Sequence, residues 1–516
     1  MNCFISRLGG RVTGALHGFD RLRFAGTQRL LANAAGLGAY LAHVGVLLKD
    51  FAGWAEGLTA RVRAASEAVM RDAGRPLIYL SRSSDSKEQV AESIRCRDRI
   101  DTGPVCQLSA VEPIWSYEIR RDRARKRLVL EPRHRKCMHL YHYWADEQVG
   151  MMHVRVPTWL PFGVKLCLNG REWLCRELDK AGVGYDRRDN CLARVSDPAE
   201  AQAALDGQLK TDWPALLERL VARSHPGWAE ALRLDGAPLE YYWSLEQSEW
   251  ASDLMFRDAA SLAEVYPKLV RRGITAMSCD SVMRFLGRRC DRRFDGQVRS
   301  DLRRREEGVR LKHSVNGNSV KMYDKEGSVL RVETTIHNPR DLRVYRGTER
   351  DPQKKAWRAM RKGVADLHRR AEVSQASNDR YMEALSEADL GETVSQALAP
   401  VCRPVTRKGR RHRAIRPLHE PDTGLLKAVS DGRGAINGFR NRDVREQLFG
   451  PDPAHPADRK RNSGRVTRAL GLLHAYGLIR KVPRTRRWML TGKGRHVAGV
   501  LQAAQVVPAS ALLAAA

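Results

Sequence analysis

Several absences bound this chain of 516 residues before any motif is read. No two of its ten cysteines stand as Cys-x-x-Cys, so zinc ribbons and thioredoxin-like sites lose their usual signature. In so long a chain the cysteines read as reduced intracellular thiols, and a cytoplasmic setting is expected. No Gly-x-x-x-x-Gly-Lys-Ser/Thr run occurs, which excludes a P-loop motor and leaves no nucleotide-cofactor motif. His-Glu-x-x-His and Gly-x-Ser-x-Gly are missing too, which disfavours the matching protease and hydrolase classes. The N-terminal stretch lacks a sustained apolar core, so no secretory signal is expected. Residues 30–48 carry no formal charge, yet they are weakly apolar and rich in Ala and Gly. Two packed helices broken near Gly36-Leu37-Gly38 are expected there rather than a membrane span, so the protein reads as soluble, without a membrane partner.

Acidic residues are the scarce charged class: 60 Asp and Glu against 90 Lys and Arg leave a net charge of +30. Such an excess repels itself unless a polyanion shares the surface, which points to nucleic acid. Arginine outweighs lysine, as suits forked contacts to phosphate. Otherwise the composition is that of a globular protein, with 42% hydrophobic residues.

The periodicity predicts an α+β fold: a helical N-terminal region, an antiparallel-sheet body with a helical insert, and a C-terminal helix-and-hairpin module. Residues 1–73 read as helical, with Leu58 and Val62 on one face, and residues 74–200 as an α+β domain. A helical region over 201–305 precedes a β-meander with helices over 306–399. Residues 400–421 form a basic Pro/Arg-rich linker, 422–505 a DNA-binding module and 506–516 an Ala-rich tail. Within the meander, Asn316-Gly317 and Glu326-Gly327 mark two tight turns.

The hundred residues 401–500 hold 24 Lys/Arg and 7 Asp/Glu, a net +17. Asn441 is placed to cap a short helix over 441–448, and a second helix over 463–476 ends at Gly477. Two strands then flank the basic tip Pro483-Arg484-Thr485-Arg486, and Thr491-Gly492-Lys493-Gly494 closes the run. Residues 420–503 resemble the winged helix-turn-helix of MarR-like regulators. The resemblance implies a helix in the major groove and a wing on the backbone, with Arg465, Arg468, Arg484, Arg486, Arg487 and Lys493 on DNA. Further basic tracts lie at 119–137 and 284–312, among them Arg303, Arg304 and Arg305.

The meander contains Met322-Tyr323-Asp324-Lys325 and Leu330-Arg331-Val332-Glu333. It resembles the hairpin of rolling-circle replication initiators from plasmids and filamentous phage, which implies strand nicking by a tyrosine and a divalent metal. Glu333, Asp324 and His313 are then the candidate ligands for Mg²⁺ or Mn²⁺, and Tyr323 or Tyr242 the candidate nucleophile. Alternation in a strand places Tyr323 and Asp324 on opposite faces. A cross-strand ion pair of Glu333 with Lys or Arg is the plainer expectation. Two other clusters stand out. Cys137 and His139 share a strand face, and His153 could complete a metal site with them. Glu246, Glu249 and Asp253 follow the spacing of one helix face, where they hold a cation or pair with Arg257.

Function at this point is a nucleic-acid-binding protein, DNA before RNA, of a mobile-element or replication system. Metal-dependent strand nicking or transfer is the enzymatic reading. The alternatives are a MarR-like regulator whose large body binds a partner or forms a homodimer, and a ribonucleoprotein subunit holding structured RNA.

Overall fold

The computed structural model describes residues 2–82, 84–231, 240–288, 296–305, 308–348, 350–386, 394–407, 409–431, 438–483 and 485–506. The chain divides into a larger unit, residues 11–263 and 277–378, and a smaller one made of residues 1–10, 264–276 and 379–516.

The larger unit is built on one mixed sheet. Its strands, in chain order, are β1 (Val12–Gln28), β2 (Leu77–Tyr79), β3 (Gly103–Asp122), β4 (Arg127–Asp146), β5 (Gly150–Pro157) and β6 (Val164–Asn169). A separate hairpin, β7 (Tyr185–Arg188) and β8 (Cys191–Val195), precedes β9 (Tyr241–Phe256), β10 (Val298–Arg305), β11 (Gly308–Val315), β12 (Asn318–Lys325) and β13 (Val329–Ile336). Across the sheet the order is β10-β11-β12-β13-β9-β1-β6-β5-β4-β3-β2. All neighbours are antiparallel except β2, which runs parallel to β3.

The centre of this sheet corrects two expectations. Residues 12–28, expected within a helical region, form β1, and residues 241–256 form β9 rather than a helix. β1 alternates across its pleat: Leu22 and Phe24 enter the core while Arg21 and Arg23 face away, and an irregularity between Phe19 and Arg21 keeps Phe19 on the core side. Its glycines, which blur that alternation in the sequence, sit where neighbours cross closely. A Cβ on Gly18 would lie 2.7 Å from Leu205, and one on Gly26 2.8 Å from Val164. β10 likewise replaces helix over 298–305, although helices do form at Trp213–Ser224 and Cys279–Phe285.

The helix Phe51–Asp72 buries Leu58, Val62, Ser66 and Met70 along one stripe, as its spacing predicts. It packs with Ala34–His43 and Trp213–Ser224 over Phe19, Leu22 and Phe24. The expected break near Gly36 falls later. Asn33 caps Ala34–His43 by accepting the Gly36 N–H at 2.8 Å, and the chain turns at Gly45 (φ +72°). No described helix is long and apolar enough to cross a membrane. The meander matches its sequence pattern: Asn316 and Gly317 both take positive φ (49° and 79°), as do Glu326 and Gly327 (51° and 62°).

In the smaller unit, helices Asp422–Val429, Asn441–Phe449, Pro456–Ala475 and Gly492–Val506 enclose a core of Leu425, Val444, Val466, Leu470, Leu473 and Leu501. Strands Ile479–Lys481 and Trp488–Leu490 pair antiparallel between the last two helices. Residues 400–421 are not a linker. They form the hairpin Val405–Arg407/Arg410–His412, and Val401 and Ile415 enter the same core. Arg413 is forked onto Asp422 at 2.7 Å, which ties this stretch to the helix that follows. Asn441 does not cap its helix: Asp443 accepts the Arg440 N–H, while Asn441 bridges to Ser463 and Thr467 of the next helix. That helix begins two turns earlier than expected, opened by Pro456, and Gly477 (φ +70°) follows its end.

Candidate metal centre

Neighbouring strands β12, β13, β9 and β1 bring charged side chains onto one face of the sheet. Register sets Lys321 opposite Glu333, Tyr323 opposite Arg331, and Arg331 opposite Asp253. Arg21 of β1 pairs with Glu249, and a β-bulge between Phe19 and Arg21 leaves Asp20 as the extra residue. Bulges re-aim a side chain in this way. The outcome is a group of three carboxylates, Asp20, Glu249 and Glu333, whose oxygens lie within 4.8 Å of one another. They line a cleft of about 850 Å³ together with Arg21, Tyr143, His153, Lys321 and Tyr323.

Each carboxylate is held differently. Glu333 is 1% exposed, accepts Lys321 Nζ at 2.5 Å on Oε1 and receives the Tyr323 hydroxyl at 2.7 Å on Oε2. Burial pushes its carboxyl up, but Lys321 and Tyr323 outweigh burial and leave it lowered. Asp20 Oδ1 accepts Arg331 at 2.7 Å and Asn190 at 2.9 Å. Asp253 takes Arg331 on both oxygens and Arg171 at 3.0 Å, so a buried lattice of two Arg and two Asp fixes Asp20 from behind. Glu249 is the least compensated, since its nearest ammonium, Lys321, is 3.8 Å away. Burial, then the charge of Glu333, push its carboxyl up. Burial raises the Tyr323 hydroxyl well above its ordinary value, with Glu333 adding to it. Three hard oxygen donors suit Mg²⁺, Mn²⁺ or Ca²⁺ rather than zinc or copper.

Only part of the expected site assembles. Glu333 and Tyr323 belong to it, and the expected cross-strand pair is present as Glu333 with Lys321. His313 and Asp324 do not belong. Register sets His313 opposite Val320 and Asp324 opposite Leu330, on the other side of the sheet from Lys321 and Glu333. His313 is buried against the Ser300 hydroxyl at 2.7 Å, and burial lowers it to about 4. Tyr242 lies seven residues from Glu249 along β9, about 23 Å away at strand rise, under the Arg29 guanidinium. Cys137 and His139 approach each other at 3.9 Å, but His153 pairs with Cys167 and Tyr143 further along the sheet. Among the described residues no group that could hold a metal contains any of the three.

Glu246, Glu249 and Asp253 lie in a strand, not on a helix. Glu246 pairs with Lys165, Asp253 with Arg331 and Arg171, and Arg257 with Asp258 instead. Asp20 was missed altogether. Its signal is a carboxylate that directly precedes the alternating run Arg21-Leu22-Arg23-Phe24.

In the smaller unit Arg465, Arg468 and Arg486 are exposed. Arg487 instead donates to the Gly438 carbonyl at 2.9 Å, and Lys493 to that of Tyr476 at 3.2 Å. Arg303 and Arg304 are exposed on β10. Arg484 and the Arg305 side chain lie outside the described residues.

No known protein family, characterised protein or solved structure matches the chain.

Proposed function

We propose that this protein cuts one strand of DNA in the cleft, with a divalent cation held by Asp20, Glu249 and Glu333 and with Tyr323 as nucleophile. The observation that carries this reading is the convergence of three carboxylates within 4.8 Å, one of them bonded to a tyrosine hydroxyl. Mg²⁺ or Mn²⁺ bound there would supply Lewis-acid polarisation of a backbone phosphate. Tyr323 Oη forms a bond to phosphorus and one backbone P–O bond breaks. The phenolic proton passes to Glu333 Oε2, already its acceptor, and the departing oxygen takes a proton from solvent. Lys321 and Arg21, both at the cleft, draw the phosphate in.

On this reading the C-terminal elements act as a winged helix, with Arg465 and Arg468 on the helix that enters duplex DNA and Arg486 on the wing. Their exposure supports it, as does the +17 charge of residues 401–500.

Two variants test the chemistry. Glu249→Gln removes the least compensated carboxylate, so the metal-free protein keeps or gains melting temperature. Stabilisation by Mn²⁺ disappears and cutting of single-stranded DNA falls about a hundredfold or more. Tyr323→Phe keeps the Mn²⁺ shift but forms no detergent-stable protein–DNA adduct. A wild-type chain that gains no melting temperature from Mn²⁺ or Mg²⁺, and cuts neither supercoiled nor single-stranded DNA, sinks the reading.

A further inference from the structure

Strands β3 and β4 are each 20 residues long, far longer than the sheet they join requires. The ladder to β2 ends at Ser109 of β3, and the ladder to β5 begins at His139 of β4. Beyond those points the pairs from Val111–Met138 to Asp122–Arg127 are made by the two strands alone. Twelve such pairs make a ribbon about 40 Å long. Most of its length is braced against the body: the Arg135 guanidinium sits 4.1 Å over the Trp159 ring, the Tyr117 hydroxyl donates to the Leu31 carbonyl at 3.0 Å, and Ile119 and Leu130, paired across the ribbon, pack on the core. Its tip is not, since Arg120, Arg121 and residues 123–128 are all exposed.

That tip reads Arg120-Arg121-Asp122-Arg123-Ala124-Arg125-Lys126-Arg127, six basic residues against one acid. The acid is used in folding the turn, where Asp122 Oδ1 accepts the Arg125 N–H at 3.1 Å. Glu118 and Glu131 engage Arg120 and Arg133 nearer the root. Arg121, Arg123, Lys126 and Arg127 have no acidic partner among the described residues. Four uncompensated cations among the seven residues 121–127, all at one hairpin end, repel one another. A solvated face chosen for solubility would mix its signs.

We propose that this ribbon is an arm for duplex DNA, entering the major groove with its arginine tip. A two-stranded β-ribbon fits a groove about 12 Å wide, and arginine forks suit both phosphates and the guanine O6/N7 edge. Single strands are held by stacking platforms, and the tip between residues 120 and 127 has no aromatic side chain. The major groove of A-form RNA is too narrow for such a ribbon. The proposal rests on the strand-cutting reading only for the identity of the polymer.

The test uses the full chain in EDTA, so that no cutting is involved. A 40-base-pair DNA duplex, a single strand of the same length and an RNA duplex serve as probes, titrated at several salt concentrations. The quadruple variant Arg121→Ser, Arg123→Ser, Lys126→Ser, Arg127→Ser should bind the DNA duplex about tenfold or more weakly. Its salt slope should fall by up to about 3.6, since each of four neutralised phosphates contributes about 0.9. Single-strand and RNA affinities should change far less. Dimethyl sulfate should find guanine N7 positions shielded by the wild type and open in the variant. A charge-keeping variant, Arg121→Lys with Arg123→Lys and Arg127→Lys, should hold the salt slope and lose the guanine shielding, which separates groove contact from misfolding. Unchanged duplex affinity and slope overturn the arm, and so does an equal loss on all three probes. A loss confined to RNA overturns the choice of DNA. A chain that never cuts yet shows the duplex-specific loss keeps the arm and sinks the strand-cutting reading.

Discussion

Glu333 shows why a single buried carboxylate is hard to assign by substitution. It neutralises Lys321, accepts Tyr323 and belongs to the carboxylate group at once, so Glu333→Gln disturbs packing and cation binding together. Breaking a buried ion pair costs about 3–5 kcal/mol. Glu249 separates the two effects, because the charge removed there is one its surroundings already disfavour. Histidines give the other residue-scale expectation. His142 is fully buried, its ring nitrogens meet no partner among the described residues, and it lies 4.6 Å from the His225 ring. Burial holds His142 well below its ordinary value, with His225 adding to it, and holds His225 at about 4. Both stay neutral in the fold but protonate near 6.5 in the unfolded chain, so stability is full above about pH 7 and is lost as pH falls towards 4. His225 alone should cost about 2 kcal/mol between pH 7.5 and pH 5. Urea unfolding at the two pH values measures it, and His142→Phe, which removes one titrating ring, should flatten the dependence. A variant as pH-sensitive as the wild type refutes this account.

At the scale of elements, the site depends on how the helix Gly170–Ala181 meets β1. Asn169 caps that helix, accepting the Arg171 and Glu172 N–H groups at 2.9 and 3.2 Å. Its first residue lies so close to β1 that a Cβ on Gly170 would stand 2.0 Å from the Phe19 carbonyl oxygen. Phe19 opens the bulge that presents Asp20. Gly170→Ala should therefore cost about 1–3 kcal/mol through overpacking and also shrink the Mn²⁺ melting shift. Gly207→Ala, in a helix where a new Cβ meets nothing within 4 Å, should be neutral or mildly stabilising. Calorimetry of both variants with and without Mn²⁺ decides; equal effects would mean that the contact at Phe19 is not what holds Asp20. The same elements show what the sequence makes legible. The meander is readable because its turns carry Gly at positive φ and its strands alternate. β9 is not, because every residue of Trp250–Phe256 is buried, on both faces, and its carboxylates happen to fall at helical spacing. β1 is obscured by glycines whose reason is a neighbour 2.7 Å away. A candidate ligand such as Asp20 acquires meaning only when strands distant in sequence become adjacent. Glu333 and Tyr323 were visible because they share one hairpin.

For the whole molecule, the distribution of charge matters more than its sum. The cleft mixes signs, with Glu88, Glu92, Glu172 and Asp189 beside its cations. Net positive charge is concentrated instead at the β3–β4 tip and in residues 401–500. Affinity for duplex DNA and cutting are therefore expected to separate. A chain ending at residue 386 should lose much of its duplex affinity and salt dependence while still binding Mn²⁺, since all three carboxylates lie in the larger unit. The boundary of the removed part is set by its core. Leu398, Val401 and Ile415 pack with Leu425, Leu470 and Leu473, the Tyr476 hydroxyl donates to the carbonyls of Arg403 and Arg413, and Asp422 needs Arg413. A fragment beginning at 418 lacks Leu398, Val401, Arg403, Arg413 and Ile415, and should melt without cooperativity. One beginning at 394 retains them, and should melt cooperatively and bind duplex DNA with a steep salt slope. Circular-dichroism melts and anisotropy titrations on the two fragments settle the matter. Equal folding of both would show that the hairpin over 405–412 is an ornament of the module, and a folded 394–516 fragment that ignores DNA would remove the winged-helix reading.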